Sequence, residues 1–220
     1  MKKLIVFDMD GVIFKAEDFW LKLHKEFGTY EEGINLTKKY VKNDYERLVK
    51  EVVGRLWKDR PAKVYFDLIK KAEYVKGVKE TIAVLKSKNY KIAIISSGPR
   101  DLAERAQKEL GIDYVYANHL LVKGYRVAGS TDMRNWPIRH DNKAVIMKKL
   151  CNDHNIDYKD CIAVGNGDSD IKMARTSGFA IAFCPTSEEL KKYANVVIEK
   201  EDLTCILKPI EEFEKKQLII

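Results

Sequence analysis

Apolar residues occur along the chain in short, nearly continuous runs that alternate with longer amphipathic stretches. The runs are rich in β-branched and aromatic residues, which is typical of buried parallel strands. They occupy residues 4–7, 90–96, 161–165, 179–183 and 195–198. Apolar residues at helical spacing occupy residues 77–88, 100–110, 143–152, 169–177 and 188–193. This alternation predicts an α/β protein with a three-layer, doubly wound and mostly parallel sheet.

One long interval interrupts this alternation. Between Lys15 and the helix that precedes the second strand, no strand-like run occurs. Apolar residues recur there at helical spacing instead. An insertion after the first strand would lie over the carboxyl ends of the strands and could close a site against water. We predict an α/β core formed by residues 1–14 and 75–220 and a helical cap formed by residues 15–74. The aromatic side chains of the cap are expected to serve in packing rather than in ligand binding.

The composition indicates a globular protein with a substantial core. The chain has 220 residues, of which 45% are apolar and 10% aromatic, enough for one domain with a modest insertion. The net charge is +7, but the lysines are spread through helical stretches and alternate with glutamates. This pattern is typical of a solvated surface and predicts no nucleic-acid partner. The same charge would attract an anionic substrate such as a phosphate ester.

Cysteine spacing and hydropathy indicate the cellular compartment in which the protein is expected. The four cysteines stand singly, without the spacing of a zinc site or a disulfide framework. The apolar stretch near the amino terminus is too short for a signal peptide, and no run approaches the 18 or so apolar residues of a membrane span. We therefore expect a cytoplasmic protein without a membrane partner. The sequence predicts no particular oligomeric state.

The first apolar run delivers two aspartates, Asp8 and Asp10, into a turn that contains Gly11. Carboxyl ends of strands are where open α/β sheets bind their ligands. Two neighbouring carboxylates without a basic residue beside them repel each other unless a divalent cation or a shared proton lies between them. The pair therefore indicates a magnesium site that contains a nucleophile. The alternative is an ordinary turn, since Asp and Gly are common turn residues.

Three further segments also contain residues that can bind a phosphate group or a metal ion. Ser96, Ser97 and Gly98 end a strand with hydroxyl groups and backbone amides that can face a phosphate. Lys143 opens a helix, where a cation is unfavourable unless an anion offsets it. Residues 165–170, with the sequence GNGDSD, place a second group of carboxylates after another strand. Taken singly, each segment also fits a plain turn or an exposed helix start.

Together the four segments resemble the motifs of the haloacid dehalogenase superfamily of phosphatases. The first motif of that superfamily matches residues 8–12, the second matches Ser96, the lysine matches Lys143, and the acidic loop matches residues 165–170. The likeness extends over nearly the whole chain, which looks most like the phosphoserine phosphatases within the superfamily. The resemblance implies hydrolysis of a phosphomonoester through an aspartyl-phosphate intermediate.

The resemblance also implies a role for each matched residue. Asp8 would attack phosphorus, and Asp10 would act as the general acid and base. Ser96, together with the amide of Ser97, would hold phosphoryl oxygens, and Lys143 would neutralise negative charge. Gly98 belongs to the same phosphate-binding loop.

The magnesium site implied by the resemblance departs from the family pattern. Its ligands would be Asp8, the backbone carbonyl of Asp10, Asn166 and Asp170. Position 166 has an amide where the family has a carboxylate, so the affinity for Mg²⁺ could be lower, or Asp168 could supply the missing charge.

The identity of the substrate is less constrained. Glu17 matches the acidic residue that would receive the amino group of L-phosphoserine, and Ser169 replaces an asparagine that touches the substrate. The arginine that would bind the substrate carboxylate aligns with Val52. L-phosphoserine is one candidate for the small phosphorylated metabolite, and a nucleotide or sugar phosphate is another. A weakly catalytic protein that binds a phosphorylated ligand also stays open because of Asn166.

Overall fold

The computed structural model describes residues 3–15 and 18–217. Six strands form one parallel sheet: β1 (Lys3–Phe7), β2 (Tyr90–Pro99), β3 (Tyr114–Asn118), β6 (Cys161–Gly165), β7 (Phe179–Phe183) and β8 (Val196–Ile198). Their spatial order is β3-β2-β1-β6-β7-β8, and β4 (Val122–Lys123) and β5 (Arg126–Val127) form a separate antiparallel pair. The predicted doubly wound α/β fold is confirmed.

Helices occupy the remaining regular parts of the described chain. The cap contains α1 (Phe19–Glu26), α2 (Tyr30–Tyr40), α3 (Tyr45–Glu51), a π-helical turn (Val52–Leu56) and α4 (Ala62–Lys71). The core contains α5 (Val78–Ser87), α6 (Arg100–Leu110), α7 (Lys143–His154), α8 (Ile171–Thr176), α9 (Glu188–Tyr193) and α10 (Leu207–Gln217). A helical cap inserted after the first strand is thus present, while its exact boundaries at residues 15 and 74 stay a prediction.

The three layers follow from the alternation of side chains along β1. Ile5 and Phe7 belong to the large apolar cluster that also includes residues of α5, α6 and the cap. Leu4 and Val6 belong to a second cluster, which includes residues of α7 and α8. Successive side chains of a strand point to opposite faces of the sheet. Helices therefore cover both faces, and β1 is buried from both sides.

Strand β1 lies in the middle of the sheet, between β2 and β6. Phe7 pairs with Ile94 of β2 and with Val164 of β6. The backbone amide of Asp8 donates a 2.9 Å hydrogen bond to the carbonyl of Val164. The chain leaves β1 toward β2 on one side and later builds β6 on the other, so a crevice is expected beside Asp8 at this switch point.

Several elements differ from the sequence-based expectations. Strand β3 was not predicted; its sequence YVYAN contains only a short apolar run, and the strand lies at a partly buried edge of the sheet. Strand β2 continues three residues beyond the expected end, to Pro99. The helix expected from residue 169 begins as a short 3-10 turn, Asp168–Asp170, before α8. Within the described ranges, no helix is long and apolar enough to cross a membrane.

Candidate active site

A buried lysine between two carboxylates forms the centre of the site. Lys143 Nζ lies 2.8 Å from Asp8 Oδ1 and 2.8 Å from Asp170 Oδ1. The three residues come from the end of β1, the start of α7 and the turn before α8, and all are buried. Burial disfavours the charged lysine, but the attraction of Asp170 and Asp8 is stronger, so the pKa of Lys143 is raised. One cation thus balances part of the charge of two carboxylates.

The two aspartates of the first motif differ in their protonation. Burial, together with the charge of Asp170, raises the pKa of Asp8 to about 6, against the opposing effect of Lys143. Burial, followed by the charges of Asp18 and Asp8, raises the pKa of Asp10 to about 8. At neutral pH, Asp8 is therefore mainly a carboxylate and Asp10 mainly a protonated acid. This separation suits a nucleophile beside a proton donor.

The turn after β1 holds both carboxyl groups in place. Gly11 has φ of +78°, a backbone conformation that favours glycine, and its amide donates a 2.8 Å hydrogen bond to the carbonyl of Phe14. Asp8 Oδ1 accepts a 2.7 Å hydrogen bond from the amide of Met9. Asp10 Oδ2 accepts a longer bond, of 3.3 Å, from the amide of Phe19 at the start of α1. The Asp-x-Asp-Gly sequence therefore forms a turn that also presents two carboxyl groups to the site.

The end of β2 forms the second wall. The hydroxyl of Ser96 is buried and accepts a 3.0 Å hydrogen bond from the amide of Gly98. A Cβ atom at position 98 would lie 2.5 Å from Cε of Met9 and 3.2 Å from Oγ of Ser96, so a side chain there would require both groups to shift. Glycine at this position avoids that shift.

Asp170 accepts hydrogen bonds from the backbone of its own acidic loop. Its Oδ2 accepts hydrogen bonds of 3.0 Å from the amides of Asn166 and Gly167, while Oδ1 accepts from Lys143. A Cβ atom on Gly165 would lie 2.5 Å from Cβ of Asp170. Both carboxylate oxygens of Asp170 are thus bound to protein groups, so the contacts support a role in positioning the loop and Lys143.

Two cavities meet at this place. The first, the polar cavity, has a volume of about 420 Å³, and the residues that line it include Asp8, Asp10, Ser96, Ser97, Asn166 and Ser169. The second, the cap cavity, has a volume of about 370 Å³ and extends between cap helices. Asp18, Ser97 and Ser169 line both cavities. The structure therefore brings the predicted residues of three strand ends together beside the cap.

The oxygen donors in the polar cavity fit a hard divalent cation. Asp8, Asp10 and Asn166 share its wall, and carboxylate, carbonyl and amide oxygens are the ligands that Mg²⁺ takes in proteins. No group of three or more Asp, Glu, His or Cys side chains suited to a metal occurs in the described part of the chain. A metal here would therefore depend on the amide oxygen of Asn166 and on backbone carbonyls. The donor set has fewer charges than one with a third carboxylate.

Asp168 lies away from this donor set. The hydroxyl of Ser187 donates a hydrogen bond to its Oδ1, and Asp168 lines the cap cavity rather than the polar one. The suggestion that Asp168 supplies the missing metal ligand is therefore not favoured. Glu17, the predicted partner of a substrate amino group, lies outside the described residues.

Sequence reasoning missed one buried residue that supports the loop after β2. Asn118, at the end of β3, donates hydrogen bonds from Nδ2 to the carbonyls of Ser97 (2.8 Å) and Ile138 (2.9 Å). Its Oδ1 accepts a 2.9 Å bond from the amide of Ile138. The only sequence signal was a polar residue at the end of a half-buried strand that had not been recognised. Asn118 ties the loop after β2 to the segment that leads to Lys143.

The cap aromatics pack against one another, and one of them also contacts the end of β2; that they serve in packing rather than in ligand binding stays a prediction. Trp20 Nε1 donates a 2.8 Å hydrogen bond to the carbonyl of Ser97. The indole ring of Trp20 lies 5.4 Å from that of Trp57 and 5.5 Å from that of Trp136, between ring centroids. All three rings line the cap cavity. They therefore pack against one another and also form a wall of a space that reaches the polar cavity.

Comparison with known proteins agrees with this geometry. A family model described as haloacid dehalogenase-like hydrolase matches residues 5–175. The phosphoserine phosphatase of Methanocaldococcus jannaschii is 35% identical over 211 residues, which cover 95% of this chain and 98% of that protein. The phosphoserine phosphatase of Lactococcus lactis is 28% identical over 98% of this chain and 99% of its own length. A solved structure of a phospho-aspartyl intermediate analogue of phosphoserine phosphatase has a TM-score of 0.81 at 34% identity, covering 94% of this chain and 98% of that one.

The chain therefore belongs to the haloacid dehalogenase-like hydrolase family. Within that family it is a phosphatase of the phosphoserine phosphatase-like group, so the resemblance found in the motifs is confirmed.

Proposed function

We propose that this protein is a Mg²⁺-dependent hydrolase of small phosphate monoesters that acts through an aspartyl phosphate on Asp8. One observation carries the proposal: the buried contact of Asp8 with Lys143 borders a polar cavity that also contains Asp10 and Ser96. A protein that only binds a phosphorylated ligand needs neither an ionised carboxylate nor a protonated one beside it. The relative solved as a phospho-aspartyl intermediate analogue supports the same chemistry.

In the first step, a carboxylate oxygen of Asp8 forms a bond to phosphorus while the bond from phosphorus to the ester oxygen breaks. The leaving alkoxide takes the proton of the Asp10 carboxyl group and departs as an alcohol. The raised pKa of Asp10 supports this role, because the group holds its proton at neutral pH.

In the second step, Asp10, now a carboxylate, takes a proton from water. The water oxygen forms a bond to phosphorus while the bond from Asp8 to phosphorus breaks, which releases inorganic phosphate and regenerates both carboxyl groups. Dividing the hydrolysis into two displacements gives each a positioned nucleophile. Asp8 and Asp10 suffice for the covalent and proton-transfer steps.

Lys143, Ser96 and Ser97 stabilise the transferred group. The ammonium of Lys143 offsets negative charge beside Asp8, and the hydroxyl of Ser96 with the amide of Ser97 would donate to phosphoryl oxygens. Asp8, the backbone carbonyl of Asp10 and Asn166 would hold the Mg²⁺ ion. Asp170, which the family pattern also places at the metal site, would support the loop. When bound, the ion would neutralise charge on the phosphoryl oxygens.

L-phosphoserine is the substrate named for the relatives, and it stays a candidate here through Glu17. The carboxylate of this substrate would lack a cationic partner, because Val52 is at the position of the family's arginine. A weakly catalytic protein that binds phosphorylated ligands is the second candidate function, and the neutral Asn166 is the observation that favours it.

Release of inorganic phosphate tests the proposal. We would assay a panel of phosphate monoesters, including L-phosphoserine, with Mg²⁺ and with EDTA. Asp8→Asn should abolish turnover at an unchanged unfolding temperature, and EDTA should abolish it in the wild type. Asp153→Asn is the matched control, because Asp153 pairs with Lys149 on the surface. Hydrolysis by Asp8→Asn at the wild-type rate would refute the assignment of the nucleophile.

A further inference from the structure

We infer that the natural substrate is the phosphate ester of an uncharged aromatic alcohol, about the size of two fused rings. The inference rests on the proposed hydrolysis at Asp8 and specifies the class of ester. The observation that carries it is the cap cavity, whose shape, lining and charge are described below.

The cap cavity lies where the alcohol part of a substrate would be. Ser97 and Ser169 line both this cavity and the polar cavity that contains Asp8. A phosphoryl group placed against Asp8 would therefore direct its ester substituent past these two serines into the cap. The group that leaves with the ester oxygen would be selected by the cap lining.

The lining is apolar over most of its extent. Leu48, Val49, Val52, Val53 and Trp57 lie on one side, along α3 and the π-helical turn that follows it. In that turn the amide of Trp57 donates a 2.9 Å hydrogen bond to the carbonyl of Val52, five residues earlier. Such turns widen a helix locally and are frequent at functional sites. Here the wider turn brings Val52, Val53 and Trp57 to the same wall.

Further aromatic rings complete the lining. Trp20 and Trp136 line the cavity together with Tyr45. Rings of this kind contact a flat apolar ligand over a large area and favour offset or edge-to-face stacking. An aliphatic amino-acid side chain of two or three atoms would leave most of this surface without a partner.

The charges in the cap cavity oppose a substrate carboxylate. The described residues that line it include no lysine and no arginine, whereas Asp18 and Asp168 are acidic. Burial lowers the pKa of His24 to about 4 and also lowers that of His140, so both imidazoles are neutral at pH 7. A substrate carboxylate would therefore lose its hydration without gaining a cation, which is unfavourable.

The volume sets the size of the ligand. An apolar cavity of about 150 Å³ holds one benzene molecule. The cap cavity, at about 370 Å³, is more than twice as large. Two fused rings with a small substituent fit this space, while a single small polar group underfills it.

Three esters with unactivated alkyl leaving groups test the inference: naphthylethyl phosphate, ethyl phosphate and L-phosphoserine. Their alcohols are all poor leaving groups, so differences in kcat/KM reflect mainly the contacts of the substituent. We expect kcat/KM for naphthylethyl phosphate to exceed both others by at least about tenfold, since even one methylene in an apolar pocket gives about 10- to 200-fold.

Two variants connect this preference to the cavity. Val52→Arg should lower kcat/KM for naphthylethyl phosphate by at least about tenfold and raise it for L-phosphoserine. Phe66→Arg is the matched control, because Phe66 is 45% exposed on α4 and does not line the cap cavity. Unfolding temperatures show whether each variant is folded.

The outcomes separate this inference from the proposed function. Equal or better turnover of L-phosphoserine or ethyl phosphate, abolished by Asp8→Asn, would overturn the substrate class and leave the hydrolase proposal in place. Turnover that survives Asp8→Asn would refute the hydrolase proposal itself. Calorimetry with the corresponding non-hydrolysable phosphonates tests the cavity without turnover. Tighter binding of the naphthyl compound than of the serine analogue supports the inference, and the reverse order contradicts it.

Discussion

Trp20 of the first cap helix donates a 2.8 Å hydrogen bond from Nε1 to the main-chain carbonyl of Ser97, in the loop that follows β2. This bond joins the cap directly to the backbone proposed to hold the phosphoryl group. The same carbonyl accepts from Nδ2 of Asn118 in the core. The position of the loop thus depends on contacts from both sides, so substitutions in the cap should change the proposed catalysis.

Trp20→Phe should lower kcat/KM while the protein stays folded. The substitution removes the donor and keeps an aromatic ring, and Ser97 keeps its bond from Asn118. Loss of one such hydrogen bond costs about 1 kcal/mol, which corresponds to about a fivefold decrease in kcat/KM. Tyr65→Phe is the control: it removes the hydrogen bond of a cap hydroxyl to Asp101, away from the loop. Equal kinetic effects of the two variants would contradict a specific role of the bond to Ser97.

Lys143→Met should destabilise the fold strongly as well as abolish turnover. Removing the lysine leaves Asp8 and Asp170 buried without the cation between them. Breaking a buried ion pair in this way typically costs about 3–5 kcal/mol. Urea unfolding would measure the loss. Lys191→Met, which breaks a surface pair with Glu188, should change the free energy of unfolding by less than about 1 kcal/mol. Similar losses in the two variants would disprove this account.

Asn166→Asp should strengthen the binding of Mg²⁺. The substitution adds a negative charge to the donor set formed with Asp8 and Asp10, and affinity in such sites rises with the charge of the ligands. We expect the dissociation constant for Mg²⁺, measured by calorimetry, to fall by at least about tenfold. Asn152→Asp introduces the same charge on the exposed side of α7 and should leave it unchanged. An unaltered dissociation constant in Asn166→Asp would exclude position 166 as a ligand.

His24 should contribute a loss of stability between pH 6.5 and pH 4, which is opposed over the same range by Asp8 and Asp10, whose raised pKa values favour the folded state on acidification. Burial lowers the pKa of this imidazole from its ordinary value of 6.5 to about 4 in the folded state. In this window the unfolded chain binds a proton that the folded protein does not, so acidification favours unfolding. The contribution is fully present above pH 6.5 and is lost as the pH falls toward 4. Melting curves across this range would measure it.

His24→Gln provides the comparison for this pH effect. The variant lacks this titrating group but keeps Asp8 and Asp10, so the unfolding temperature of the wild type should fall relative to that of the variant as the pH falls from 6.5 to 4. His119→Gln, at a partly exposed position, should keep the wild-type dependence. An identical pH profile for His24→Gln and the wild type would show that another group is responsible.

The parallel sheet and most of the candidate site could be predicted from the sequence, because both depend on local patterns. Buried strands are apolar on both faces, and β1, β2 and β6 each end at the motif that the sequence displays there. Since parallel strands have their carboxyl ends at one edge, Asp8, Ser96 and the acidic loop had to converge. Strand β3 escaped prediction because it is short and lies at an edge of the sheet, where several of its side chains are only partly buried.

Only the tertiary structure decided how these side chains are divided between roles. Asp170 was expected beside the metal, and its contacts with Lys143 and with two loop amides depend on where α7 and α8 pack. Likewise, Trp20, Trp57 and Trp136 are far apart in the chain, and no local pattern distinguishes a packed ring from one that also lines a cavity. The sequence by itself determined the fold class and the reactive groups. The cap cavity, and hence the ester we expect, depends on side chains that meet only after the helices have packed, because spacing along a chain does not define distances across it.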